Sequence, residues 1–490
     1  MKNEEFTKTK IVCTIGPASE NVGTLKKLTK TGMDVCRLNF SHGSHGDHLE
    51  RYERIRAASA DLAVLVDLCG PKIRTGDVEE GTRIENGQIF RISKEIGLEG
   101  NSEICSTNYP PLIDDAQVGN HLAIDDGLLQ LRVTKKSKDE LICKVLNGGL
   151  LKSRKGINAP DVPLSLYFPL PKDLEDIRFV TRKMDVEYIA ASFVRRKEDI
   201  LAIKEILDEK HSPIHIISKI ENRDGLNNFD EILAVSDGIM VARGDLGIEI
   251  PSEQVPIVQK ALIKKCNAAG KPVIVATQML ESMTYNPRPT RAEVSDVSNA
   301  IIDGADAVML SGETAVGKFP VETVDYMERI LKEININHHL LSERRAEWSK
   351  DDPSISEVLG RATHLISDNS SLKIKAIVTS TRTGSTSRLI AKNRPERPII
   401  AGTPYESVRR QLQLVWGVCP VQVKVTPSYD ELLYEIVVTA NEKGYLSSAD
   451  TILVVGGSLL GFPSKTNQVQ ITKVEDVLLF GQQLQTTPNL

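Results

Sequence analysis

The sequence lacks the features that would place a chain in a membrane, outside the cell or on a nucleic acid. No apolar run approaches the ~18 residues that a spanning helix needs. An excess of one charge is also missing, since 61 Lys and Arg stand against 66 Asp and Glu, a net charge of −5. So small a balance disfavours nucleic acid or an anionic membrane as the main partner, and any anion must be captured locally. Paired cysteines are absent too. The seven (Cys13, Cys36, Cys69, Cys105, Cys143, Cys266 and Cys419) are odd in number, scattered and without a C-x-x-C pair. That pattern fits thiols used for packing in a reducing compartment. The first ten residues mix Lys and Glu without an apolar core, which is neither a secretory signal nor a transit peptide. A cytoplasmic location is expected, and there is no repeat or low-complexity tract.

What is present is a globular composition, 40% hydrophobic and 26% charged over 490 residues. Domains usually hold on the order of 100–250 residues, so two or three folded units are expected. Short apolar runs at 10–14, 34–38, 63–67, 188–192, 214–219, 238–243, 272–277 and 307–311 alternate with amphipathic stretches such as 198–209 and 253–269. Runs of this kind read as parallel strands buried on both faces, and their number closes a (β/α)8 barrel. One crossover is interrupted. After Gly70-Pro71 the pattern turns to strand alternation, as in Leu129-Gln-Leu-Arg-Val133, until proline-rich segments at 159–163 and 168–171. Residues 72–162 are therefore expected to form an inserted β domain, a small barrel able to act as a lid. The catalytic barrel takes 1–71 and 163–340. A polar stretch from about 335 to 353 precedes a third unit, 354–490, in which strands at 374–379, 398–401 and 451–455 alternate with helices, an α/β domain.

In such a barrel the side chains just past the strand ends share one mouth. The sequence sets polar residues there in nearly every strand: Arg37, Asn39 and Ser41; Asp67; Ser192; Lys219 and Glu221; Gly244 and Asp245; Thr277; Ser311 and Glu313. Lys219 and Glu221, two apart in an extended segment, point the same way. Alone they read as a salt bridge, but Asp245 on the next strand adds a carboxylate that an ion pair does not need. Two carboxylates suit Mg²⁺ or Mn²⁺, which keep open positions for substrate oxygens. Lys219 beside such a cation can neutralise a phosphoryl group in transfer. Arg37 can hold a phosphate or carboxylate, Gly244 lets backbone N–H approach an anion, and Thr277 can relay a proton.

Two motifs mislead. Gly312-Glu-Thr-Ala-Val-Gly-Lys318 has the spacing of a phosphate-binding loop, but Phe319 stands where a hydroxyl must meet Mg²⁺. His42, His45 and His48 look like metal ligands, yet Gly43 and Gly46 mark a loop leading into a solvated helix start rather than a zinc site. In the last unit Thr379, Ser380, Thr381, Thr383, Gly384, Ser385 and Thr386 lie between a strand and a helix expected near Ser387. They form either a phosphate cradle or a helix cap with spare hydroxyls. Lys465 and Thr466 are a weaker second anion site.

Taken together, the chain resembles pyruvate kinase over nearly its whole length. The motifs are Lys10-Ile-Val-Cys-Thr-Ile-Gly-Pro-Ala-Ser19, Arg37-Leu-Asn-Phe-Ser-His-Gly43, Gly70-Pro-Lys-Ile-Arg-Thr-Gly76, Ile217-Ser-Lys-Ile-Glu-Asn222, Met240-Val-Ala-Arg-Gly-Asp-Leu-Gly247, Ala276-Thr-Gln-Met-Leu-Glu-Ser282 and Met309-Leu-Ser-Gly-Glu-Thr314. The resemblance implies phosphoryl transfer from phosphoenolpyruvate to ADP, giving pyruvate and ATP in the last step of glycolysis. It implies Mg²⁺ on Glu221 and Asp245, Lys219 stabilising the phosphoryl group, and Arg37, Gly244, Asp245 and Thr277 holding substrate. Thr277 also falls on the route that protonates the enolate carbon. Asn39, His42, Arg74 and, from the lid, Lys155 match nucleotide contacts.

Asn39, Ser41, Asp67 and the Leu68 carbonyl match the family's monovalent-cation ligands, but Lys72 replaces the Glu of K⁺-dependent members. A tethered ammonium there makes K⁺ dependence weak or absent. The family is usually homotetrameric, with Pro289-Thr-Arg-Ala-Glu-Val-Ser295 near its interface, and the hydroxyl-rich loop falls where regulated members bind a sugar phosphate. Two other readings compete. A metal-dependent lyase acting on enolates leaves Lys219 and the lid unexplained, and a non-catalytic sugar-phosphate sensor would have lost a site residue.

Overall fold

The structure is a computed structural model that describes residues 6–165, 167–337, 354–457 and 466–486. Eight short strands, Lys10–Thr14, Val35–Asn39, Ala63–Asp67, Tyr188–Ala191, His215–Ile220, Gly238–Ala242, Val273–Ala276 and Ala307–Leu310, are all parallel and close on themselves, Lys10 pairing with Ala307. Each run is β-rich and buried on both faces, so alternate residues serve two cores. Val12, Val35, Leu65, Ala190, Ile217, Met240, Ile274 and Met309 fill the interior. Ile11, Cys36, Val64, Ile189 and Val241 face the helical ring. The packed interior leaves only the strand ends for chemistry.

Between the third strand and the helix Pro171–Lys183 the chain builds the lid. Its six-stranded sheet runs in the order Ile157–Asn158, His121–Ile124, Leu129–Lys136, Glu140–Asn147, Ile89–Ser93, Ile104–Ser106. Single bridges from Arg74 to Gly156 and from Thr75 to Thr107 span the gap between the two edges. The strand Leu129–Lys136 alternates buried and exposed, as its sequence requires, and Phe90, Ile92, Leu131 and Val133 form a core separate from the barrel's.

The last unit is a five-stranded sheet, Val418–Gln422, Ile399–Thr403, Ile374–Ser380, Thr451–Gly456 and Gln468–Lys473, parallel except for the final strand. Only the middle three are anticipated from sequence. The sheet packs against the barrel end opposite the mouth, where Leu414 joins the interior cluster and the Tyr188 hydroxyl donates to the Gln411 carbonyl at 2.5 Å. Most of the polar stretch expected at 335–353 lies outside the described residues. Among those described, no helix is long and apolar enough to cross a membrane.

Candidate active site

Five barrel strands deliver one buried network. Arg37, at the second strand, donates through Nε to Asp67 Oδ2 at 2.7 Å and through Nη1 to Thr14 Oγ1 at 2.9 Å. Asp67 Oδ1 faces Lys219 Nζ at 3.1 Å, and Lys219 also donates to Ser192 Oγ at 2.7 Å and pairs with Glu221 Oε1 at 3.1 Å. The Glu221 carboxylate is fixed from its other side by the Phe193 N–H at 2.8 Å. Lys219 and Glu221 do project together, as their spacing requires, and both are buried.

Burial opposes charge on every member, and the balance differs among them. It would raise the Asp67 carboxyl, but Lys219 and Arg37 outweigh it and hold Asp67 below the usual range. It would lower the Lys219 ammonium, but Asp67 and Glu221 hold it above the lysine range. Burial pushes Glu221 up despite Lys219, with Asp245 adding to the rise. The site thus retains an acid short of positive charge.

Asp245 opens the helix Arg243–Glu249 that follows the sixth strand, and its Oδ1 accepts from Lys72 Nζ at 2.8 Å. The Gly244 N–H donates to Thr277 Oγ1 at 2.8 Å, and Thr277 donates in turn to the Ala276 carbonyl at 2.5 Å. Thr277 and Gln278 both have positive φ, 71° and 55°. Non-glycine residues in that region carry strain on the order of 1–3 kcal/mol each, sustained only where the surroundings impose it. Here Arg243 grips the Thr277 carbonyl at 2.7 Å.

Asn39 caps its own turn by accepting from the Ser41 N–H at 3.1 Å. Burial lowers His42 below the usual histidine range, with Arg74, Arg37 and Lys72 adding to the effect, so this corner is cationic. Within the lid, Lys155 pairs with Asp125 at 2.8 Å and Arg74 donates to the Arg154 carbonyl at 3.1 Å. The Leu68 carbonyl accepts from Ser192 Oγ at 2.8 Å. Ser192 is therefore the hub between Asp67 and Lys219. In the sequence it reads only as a strand end, and Phe193, whose φ of 56° aims its N–H at Glu221, leaves no signal there.

The three histidines do not converge on one point but take separate partners. Ser44 caps a helix that starts at His45, His45 bonds Asp176 at 2.7 Å, and His48 bonds the His42 carbonyl at 2.8 Å. His48 is not solvated as expected but buried, stacked on Phe40 with centroids 4.0 Å apart, because the helix turns its face onto that ring. Gly312–Ala315 makes a helix of only four residues, and Glu313 there caps the Leu280 and Ser311 N–H groups.

In the C-terminal sheet the helix begins at Ser385, two residues earlier than expected, because Gly384 with φ 80° turns the chain into it. Thr379 is spent inside, on Ser387 at 2.8 Å, and Thr381 accepts from the Gly384 N–H at 2.9 Å. Thr383 is exposed and donates to Ser385 Oγ at 3.1 Å, and Thr386 meets Thr466 at 3.2 Å. Ser380 follows at the end of its strand. Lys465 lies outside the described residues.

Family models match the chain twice: the pyruvate kinase barrel domain over residues 6–324 and the pyruvate kinase alpha/beta domain over 362–472. Pyruvate kinases of Staphylococcus aureus strains MRSA252 and USA300 are each 48% identical to it over 97% of this chain and 82% of theirs. A crystal structure of a pyruvate kinase from Cryptosporidium parvum superposes with a TM-score of 0.88 at 37% identity, covering 97% of this chain and 98% of that one. With the closed barrel, the α/β domain and this likeness in agreement, the chain belongs to the pyruvate kinase family, the phosphotransferases of the final step of glycolysis.

Proposed function

We propose that the barrel mouth transfers the phosphoryl group of phosphoenolpyruvate to ADP through the residues of this network. The observation that carries the reading is the Lys219 ammonium, buried and held charged between Asp67 and Glu221. A cation so fixed needs no reorganisation when charge develops on a transferring phosphoryl group.

The donors suit a hard divalent cation. Glu221 is a buried carboxyl pushed up by desolvation, Asp245 is a second carboxylate, and neither thiol nor imidazole accompanies them, so Mg²⁺ or Mn²⁺ would be held by these two. When bound, the cation would offset negative charge on the substrate's carboxylate and phosphoryl oxygens. Arg37, fixed by Asp67 and Thr14, presents its remaining N–H groups to the phosphate. Gly244 and Thr277 hold the enolate end, and Thr277 moves the proton toward the enolate carbon. Asn39, His42, Arg74 and Lys155 take the nucleotide, the last two from a lid that excludes water.

Lys72 supplies the charge that K⁺ would bring beside Asn39, Ser41, Asp67 and Leu68, and its 2.8 Å bond to Asp245 keeps that ammonium at the barrel mouth. The division into 1–71 with 163–340, 72–162 and 354–490 is supported by a hydrophobic core within each unit. The exposed Thr383 and the helix start at Ser385 support a sugar-phosphate effector site at 379–386. A cytoplasmic homotetramer completes the proposal.

Coupled turnover of phosphoenolpyruvate with ADP and Mg²⁺ tests it, with and without K⁺, in wild type and Lys219→Met. Loss of one such charged group lowers kcat by about 10²–10³-fold. Wild-type rates are expected to be indifferent to K⁺. Strong activation by K⁺ would remove the role given to Lys72, and a wild type silent with every sugar phosphate would favour a sensor.

A further inference from the structure

The lid leaves and rejoins the barrel through two segments, and both meet the same helix. On the way out Lys72 bonds Asp245 at the start of Arg243–Glu249. On the way back Asn158, paired into the lid sheet opposite Ala123, donates through Nδ2 to Glu249 Oε1 at 3.1 Å, at the end of that helix. Between these points the lid turn at Gly127 approaches Ile248, close enough that a Cβ on Gly127 would lie 3.9 Å from Ile248 Cγ2.

Asn158 and Glu249 are 7% and 9% exposed, an unusual depth for a polar bond between two bodies that have to move. The Glu249 main chain is fixed as well, since Arg223 donates to its carbonyl at 3.3 Å. Beside the bond lies a cavity of about 360 Å³, walled by Ile73, Ala159 and Val162 from the lid and Phe193, Arg195 and Asn222 from the barrel. Open space at a hinge permits rotation, so a specific polar contact has to set the resting angle. The helix between the two contacts is seven residues long and carries Asp245 and Gly244, the latter bonded to Thr277.

We propose that Glu249 is a positioning residue whose bond to Asn158 seats the lid on this helix and so keeps Arg74 and Lys155 in register with Asp245 and Thr277. The inference rests on the phosphotransfer reading above. Glu249→Ala, Asn158→Ala and their double variant are compared by turnover and by hydrogen exchange of residues 157–164 in the substrate-free protein. Each single change is expected to raise the KM for ADP by about three- to tenfold, the scale of one buried hydrogen bond. The KM for phosphoenolpyruvate should hold, since Arg37, Lys219 and Glu221 belong to the barrel. Exchange at 157–164 should quicken, the double variant should be no worse than the weaker single, and Glu249→Gln, which keeps an acceptor, should restore both readouts. Additive effects, or a fall in melting temperature with ADP binding and exchange unchanged, would overturn the latch. A wild type without turnover would instead remove the phosphotransfer reading, while exchange would still report on the latch.

Discussion

His48 is a buried imidazole whose Nδ1, itself buried, has no hydrogen-bond partner among the described residues. Burial lowers its pKa from 6.5 to about 4. The folded value lies below the unfolded one, so between these limits the unfolded chain binds the extra proton, and stability complete above pH 6.5 is lost as pH falls toward 4. Melting temperatures of wild type and His48→Gln across that range check this. The variant should be less stable at neutral pH, without its stack on Phe40, yet fall less steeply on acidification. At this scale the sequence was legible where polar residues end strands: Arg37, Asp67, Lys219, Glu221 and Thr277 stand out by position, and the structure links the first four in one network while Thr277 bonds Gly244 at the end of neighbouring strands. Glu249 and Phe193 were not legible, because one acts through the far end of a helix and the other through a backbone N–H.

The six-residue helix Glu406–Gln411 joins the C-terminal domain to the barrel. Its Arg410 pairs with Glu187 and Asp185, while Glu187, fully buried, also accepts from Arg56 at 3.1 Å and the Val64 N–H at 2.6 Å. Burial pushes the Glu187 carboxyl up even with both arginines present, so it depends on each. Arg410→Met should cost about 3–5 kcal/mol, since it leaves a buried charge half-compensated. Denaturant titration measures it, with Arg409→Met as a milder control because its partner Asp61 is exposed. Among elements, the barrel strands were legible to within about two residues, each being a run buried on both faces. Two strands of the last sheet were not. Val418–Gln422 contains Pro420, tolerated because the strand is an edge, and Gln468–Lys473 is largely polar with none of its residues fully buried.

For the whole molecule, the C-terminal domain closes the barrel's lower end. Leu414 enters its interior cluster, Tyr188 bonds Gln411, and Lys10 donates to the Val418 carbonyl at 2.9 Å. A chain ending at Asn337 should therefore expose apolar surface, bind a hydrophobic dye and lose its near-ultraviolet dichroism. A cooperative, dye-free thermal transition of that fragment would show the barrel to be self-sufficient. This docking was illegible in the sequence, because it depends on single residues scattered over distant segments. The pairing of Lys10 with Ala307 has a consequence in time. At a synthesis rate of about 5–20 residues per second, the first strand waits roughly 15–60 s on the ribosome for the partner that closes its ring. The lid, complete by Val162 and built around its own core, can fold within that interval, while the first three strands wait with an open edge that a chaperone could cover.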